Sequence, residues 1–233
     1  MKAEKERRSK HKVLRYFPDS GPFRRELYAK HLQFFAAGGR HTPFPSCPEG
    51  CDGSPHRERC FMAANRIGKS ESGAYETTLH LTGLYPDWWT GKRFDRPVKA
   101  WAASDTNKTA REVLQLKLLG PVNAPGTGML PADLITHRTA KPGIAESVDT
   151  IYVRHMSGGL SSVTFKSYQE GRESFQGASI DFGWADEEPP ESIWTEMLMR
   201  TMVTGGCVIL TFTPLLGMSA VVLSFLPNGL PNT

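Results

Sequence analysis

The chain has 233 residues, 39% of them hydrophobic and 22% charged, with a formal net charge of +4. That length and apolar content support one large domain with a buried core and exclude a disordered polymer. No run of about 18 apolar residues is present, and Met1 to Tyr16 is charged and lacks the apolar core of a signal peptide, so the sequence reads as a soluble intracellular protein. The charge excess permits contact with phosphates without demanding it.

In chain order, Arg7, Arg8, Lys10, Lys12 and Arg15 make a basic tail that reads as solvated, with a phosphate-contacting arm as the sharper alternative. Glu26 to Ala37 has helical periodicity and stops before Gly38-Gly39. Residues 39–59 form a turn-rich loop dense in Pro, Gly and Ser. Within it Cys47, Cys51 and His56, with Cys60 beyond, lie at the short spacings that zinc accepts. The preferred reading is that the cysteines are small hydrophobes, because no regular C-x2-C pair is present. Cys207 lies in an apolar run and reads as core.

Strands and helices then alternate. Cys60 to Ala64 is predicted as a strand, Lys69 to Thr82 as a helix, and Val98 to Ser104 as a strand. Asp105 to Leu119 is an amphipathic helix capped by Ser104 or Asp105. Ile151 to Met156 and Ser162 to Ser167 alternate around Ser157-Gly158-Gly159 as a hairpin. Ile180 to Ala185 is a strand ending in acids, Pro190 to Met202 a helix with Pro190 near its first turn, and Cys207 to Thr213 a final strand. The fold class that follows is α/β, with a mostly parallel sheet covered on both faces, a small N-terminal helical segment and a hairpin.

Ala63-Ala64-Asn65-Arg66-Ile67-Gly68-Lys69-Ser70 matches G-x-x-x-x-G-K-[ST] except that Ala63 replaces the first glycine. An apolar strand precedes it and a helix follows, as a phosphate loop requires. Backbone N–H groups and the helix N-terminus face the anion, and Gly68 allows close approach. Lys69 reaches the β- and γ-phosphates and Ser70 offers its hydroxyl to Mg²⁺. Such a site needs a carboxylate for Mg²⁺ and a group that positions water. Asp186 takes the first role and Glu187 the second, with Glu188 a lesser candidate base. The alternative is that these acids serve only the dipole of the following helix. Asp181 falls within the strand, outside the site, and is expected to pair with a basic side chain.

Three segments together resemble the terminase large subunits of tailed bacteriophages: the variant phosphate loop, Phe175-Gln176-Gly177 leading to Trp184-Ala185-Asp186-Glu187-Glu188-Pro189, and Leu210-Thr211-Phe212-Thr213-Pro214. The resemblance implies a P-loop NTPase fold of the RecA/ASCE type, ATP and Mg²⁺ as cofactors, and translocation of double-stranded DNA into a procapsid. It implies a nucleotide site made of Ala64 through Glu71, with Arg66 acting in cis beside Lys69 and Glu187. Where relatives read adenine with a glutamine near the N-terminus, this chain offers His31 or Gln33, with Tyr28 and His31 the candidates to flank the ring and a plain amphipathic helix the alternative. Thr211 and Thr213 would form the coupling motif. Gln176-Gly177 stands where relatives carry Arg-Gly, so Arg172 becomes the substitute trans-acting arginine. Partners implied are a portal protein, a small terminase subunit and further copies in a ring, in the cytoplasm of the infected host. Residues 1–59 would form the N-terminal appendage, 60–214 the ATPase core, and 215–233 the start of a linker towards a nuclease domain outside this chain, so DNA cleavage is expected to be absent. Lys92, Arg93, Lys108 and Arg111 are candidate DNA-grip residues. The competing reading is a helicase-type translocase. An ABC-type ATPase is rejected because Ser157-Gly158-Gly159 reads as a hairpin turn, and a non-catalytic module is disfavoured by the presence together of Lys69, Ser70, Asp186 and Glu187.

Overall fold

The structure, a computed structural model, describes residues 11–214 and 217–226. The basic positions Arg7, Arg8 and Lys10, and residues 215–216 and 227–233 of the expected linker, lie outside the described residues. Seven strands form one sheet in the order β1-β7-β6-β2-β5-β4-β3. They are β1 (Glu58–Met62), β2 (Lys99–Ser104), β3 (Ile135–Ala140), β4 (Val148–Arg154), β5 (Leu160–Ser167), β6 (Phe182–Asp186) and β7 (Cys207–Phe212). The first five in spatial order run parallel, while β4 and β3 add antiparallel. The fold is thus the expected α/β phosphate-loop architecture, with helices on the sheet.

Alternation along the buried strands sorts their side chains into two cores. On one face Cys207 and Ile209 of β7 join Phe182 and Trp184 of β6 against Tyr75 and Leu79 of the helix α2 (Lys69–Thr82). On the other, Val208, Leu210 and Phe212 meet Trp194 and Met197 of the helix α4 (Glu191–Met202). Burial on both faces is why β6 and β7 read as continuous apolar runs.

Helix α2 is polar in sequence yet buried on nearly all sides. Its threonines make this tolerable: the hydroxyls of Thr77, Thr78 and Thr82 donate to carbonyls one turn back, at 2.7, 2.8 and 2.7 Å. Glu76 is buried against Arg59 of β1, at 2.5 Å, and His80, at 3.1 Å. A buried charge of this kind is tolerated only when paired.

Several expected boundaries move. The N-terminal helix begins as a 3₁₀ turn, Arg25–Tyr28, and becomes α-helical as α1 (Ala29–Ala36). The helix after β2, called α3, is composed of Asn107–Thr109, a π-helical turn Ala110–Gln115 and Leu116–Leu119. Its cap is Thr106, whose hydroxyl accepts from Thr109 N at 2.9 Å, and not Ser104 or Asp105. Asp105 instead accepts from Thr106 N, at 2.8 Å. Pro190 is the cap of α4, with ψ 140, just outside its first turn. The hairpin expected at Ser157-Gly158-Gly159 joins β4 to β5. The edge strand β3 has no counterpart among the expected elements. Its residues are almost all exposed, so no apolar alternation marks it.

Candidate functional site

The site lies where parallel strands end at their carboxyl edges, the usual crevice of an open α/β sheet. From β1 the chain turns through residues 63–68 into α2. Gly68 is left-handed, with φ 88, and caps the helix. Arg66 also has positive φ, at 64, which for an arginine stores local strain.

Lys69 is folded back into this loop and is buried. Its Nζ donates to Ala64 O at 2.7 Å and to Thr213 Oγ1 at 2.8 Å. Thr213 in turn donates to Asn65 Oδ1 at 2.7 Å. A single hydroxyl just after β7 therefore joins the loop asparagine to the loop lysine.

Asp186 closes β6 and is 2% exposed. Thr211 Oγ1 donates to its Oδ1 at 2.6 Å, and Trp184 Nε1 donates to Thr211 Oγ1 at 2.8 Å. Burial pushes the Asp186 carboxyl up to about 6, against hydrogen bonds from Thr211 and Ser70. Ser70 is thus close enough to Asp186 to act on its carboxyl. Glu187 follows in left-handed conformation, φ 67, and its N–H donates to Thr211 O at 2.9 Å. Burial raises its carboxyl, while the nearby Lys69 charge lowers it. Tyr168 braces this turn from beneath, its hydroxyl 3.0 Å from Glu187 O.

The loop's remaining neighbours are less uniform. His31 Nε2 is 3.0 Å from Ile67 O, and its ring stands edge-on to Phe61 and Tyr28, with centroids 4.9 and 5.5 Å apart. Burial lowers its basicity. A cavity of about 1080 Å³ opens beside Ile67 and is lined by Tyr28, His31 and Phe61. The Arg66 side chain is exposed. Glu71 is engaged elsewhere: Tyr16 donates to it at 2.6 Å and Lys117 at 2.7 Å. That pairing was not legible in the sequence, since it joins the N-terminal segment, α2 and α3 across long separations. Arg172 is ion-paired in cis, its Nε 2.8 Å from the buried carboxylate of Glu196. Arg93 donates to the carbonyls of Pro86 and Trp89, at 3.3 and 3.0 Å, and Arg111 to Ala145 O at 3.2 Å. Asp181 accepts from Arg96 at 2.7 Å, as expected, from just before β6.

In the loop before β1, Cys47, Cys51 and His56 come together with a fourth residue, His41, all ligand atoms lying within 4.8 Å of one another. Sequence reasoning missed His41 because it lies six residues before Cys47 and is brought in only by the fold-back of the loop, where His41 N donates to Gly53 O at 3.0 Å. Cys60 sits apart from this group, in β1.

Residues 60–232 match the family described as terminase large subunit, T4likevirus-type, N-terminal. The chain is 42% identical over 196 residues to the terminase large subunit of Salmonella phage P22, a match covering 76% of this chain and 39% of that protein. Among solved structures, the large terminase of the thermophilic bacteriophage D6E, in complex with ADP, aligns with a TM-score of 0.40 at 14% identity, over 66% of this chain and 32% of that one. The chain spans less than half the length of either relative. The family match takes in the phosphate loop, the acidic end of β6 and the Thr211–Thr213 segment alike, and on it the chain belongs to the terminase large subunits, in their N-terminal region.

Proposed function

We propose that this chain is the ATP-hydrolysing motor portion of a DNA-packaging terminase, acting on double-stranded DNA. The observation that carries the reading is the convergence of Lys69, Thr213 and Asn65 with Ser70, Asp186 and Glu187 at one sheet edge, in a chain of this family.

In this reading, backbone N–H groups of residues 64–70 and the α2 dipole hold the phosphates. Lys69 exchanges its bonds to Ala64 and Thr213 for phosphate oxygens. Ser70 and Asp186 are the residues that hold Mg²⁺. They fit that role because a buried carboxylate beside a hydroxyl, with its proton affinity raised by burial, gains most from a cation. A Mg²⁺ ion held by Ser70 and Asp186 would supply charge neutralisation for phosphoryl transfer. Glu187 orients the attacking water, and Arg66, exposed at the loop, adds positive charge in cis. Tyr28 and His31, on the cavity beside Ile67, flank the base. Glu71 supports the site through Tyr16 and Lys117. Arg172 serves as the trans-acting arginine after release from Glu196.

Thr211 and Thr213 couple hydrolysis to movement, because they touch Asp186 and Lys69 respectively. We assign residues 60–214 as the ATPase core. Portal protein, small subunit, further copies in a ring and the host cytoplasm complete the setting. Among the described residues no helix is long and apolar enough to cross a membrane. Grip on DNA is through its backbone, since a packaging motor must move every sequence. The test is steady-state ATP hydrolysis with and without Mg²⁺ and duplex DNA. Mg²⁺-dependent turnover raised by DNA supports the reading, and failure to bind ATP at all overturns it.

A further inference from the structure

We propose that His41, Cys47, Cys51 and His56 form a tetrahedral zinc site that fixes the loop between α1 and β1. The loop needs such a fastening. Between Arg40 and Glu58 only Gly53 is buried, and no helix or strand forms. A loop this long without its own core is uncommon in a compact domain. Yet its path is fixed at both ends: His41 N donates to Gly53 O at 3.0 Å and His56 N to Ala37 O at 2.8 Å. Gly53, with φ 78, admits this closure, since a Cβ there would lie 2.2 Å from His41 O.

Three of the distances are those of a shared ion, within a group whose ligand atoms all lie within 4.8 Å of one another. Cys47 Sγ lies 3.5 Å from His41 Nε2, Cys51 Sγ 3.7 Å from the same nitrogen, and Cys51 Sγ 3.6 Å from His56 Nε2. Zinc bonds of about 2.3 Å to sulfur and about 2.0–2.1 Å to nitrogen, at a tetrahedral angle, hold the two atoms about 3.6 Å apart. Hydrogen bonding between thiols and imidazoles explains the cluster less well. His41 Nδ1 is 2.9 Å from Gly39 O, so its proton sits there and Nε2 offers one lone pair to two sulfurs. A backbone carbonyl on the far nitrogen is also the usual orienting partner of a metal-bound histidine. Both sulfurs accept backbone N–H groups, Phe44 N to Cys47 at 3.5 Å and Gly53 N to Cys51 at 3.4 Å, which suits thiolates. Two thiolates and two neutral imidazoles balance a divalent charge, and binding releases the two thiol protons. Closed N₂S₂ sites are the structural class for zinc.

The site stands two residues before β1, and Cys47 and His56 line the same cavity as His31 and Ile67. Zinc would therefore set the approach of β1 and α1 to the phosphate loop. This inference does not rest on the ATPase reading.

The test is metal analysis of the purified chain beside Cys47→Ser/Cys51→Ser and Cys60→Ala. About one zinc per wild-type chain is expected, retained in Cys60→Ala and lost in the double variant. Zinc-free protein loaded with Co²⁺ should show the intense visible bands of a tetrahedral thiolate site. In wild type, stripping by a chelator should speed proteolytic cleavage within residues 40–57, and zinc should reverse it, which holds the test open if the double variant misfolds. A folded wild-type chain that takes up no zinc, a Cys47–Cys51 disulfide in its place, or zinc that persists in the double variant overturns the proposal.

Discussion

Thr213 Oγ1 accepts a hydrogen bond from Lys69 Nζ at 2.8 Å and donates one to Asn65 Oδ1 at 2.7 Å. The segment after β7 is therefore mechanically joined to the phosphate loop. On the proposed reading, Lys69 turning to a phosphate would take a donor from Thr213, and β7 would feel the change. Thr213→Val keeps the shape and removes the link. Each such hydrogen bond contributes on the order of 1 kcal/mol, and only the Thr213–Asn65 bond remains once Lys69 has turned away, so hydrolysis should fall by roughly 5-fold. The nucleotide Kd, read by isothermal titration, should move less. Lys69→Ala should abolish binding.

Trp184 transmits packing to Asp186, the acid proposed to hold Mg²⁺. A Cβ on Gly73 of α2 would lie 2.2 Å from Trp184 Nε1, and that nitrogen holds Thr211, which holds Asp186. Gly73→Ala should displace the indole and cost about 1–3 kcal/mol by overpacking, outweighing the roughly 1 kcal/mol of helix propensity gained. Urea unfolding and near-ultraviolet dichroism of the tryptophans check this. Unchanged stability with an unchanged tryptophan spectrum would contradict it.

Asp186 gives the apo chain a defined pH response. Its carboxyl is pushed up to about 6 by burial, from 3.8. Because the folded value is raised, its stability contribution is fully present below about pH 4 and is lost as pH rises through about 6. The shift corresponds to about 3 kcal/mol in all, of which about 1 kcal/mol falls between pH 5 and 7. Burial depresses His31 and His80, and these push the opposite way, losing stability as pH falls. The measurement is therefore the difference between wild type and Asp186→Asn, without Mg²⁺ or nucleotide. The stability advantage of the variant should grow by about 1 kcal/mol from pH 5 to pH 7.

Arg59 and Glu76 tie β1 to α2, and Arg59 also donates to Phe34 O of α1 at 2.9 Å. Removing one partner leaves the other charge buried and alone. Glu76→Ala should cost about 3–5 kcal/mol in urea unfolding. A loss below about 1 kcal/mol would show that water reaches Arg59 after all.

Much of this was legible in residue order. The bounds of α2 coincide with the expected Lys69 to Thr82 because a glycine stands at each end in left-handed conformation. β6 and β7 were readable from apolar runs that end in Asp186 and Thr213. Phosphate-loop chemistry needs local residues, so its parts are adjacent in sequence. What stayed hidden depends on distant partners or on weak patterning. Strand β3 is an exposed polar edge without alternation. The engagement of Glu71 by Tyr16 and Lys117 needs three segments to meet. His41 joins the cysteine cluster only because the loop folds back at Gly53.

The most direct measurement is hydrolysis and ATP binding by Glu187→Ala beside wild type, with Mg²⁺ and duplex DNA present. Wild-type turnover with retained binding and lost turnover in the variant is the result expected of a water-positioning carboxylate. A variant that hydrolyses ATP at the wild-type rate contradicts the assignment of Glu187 and, with it, the motor site built around β6.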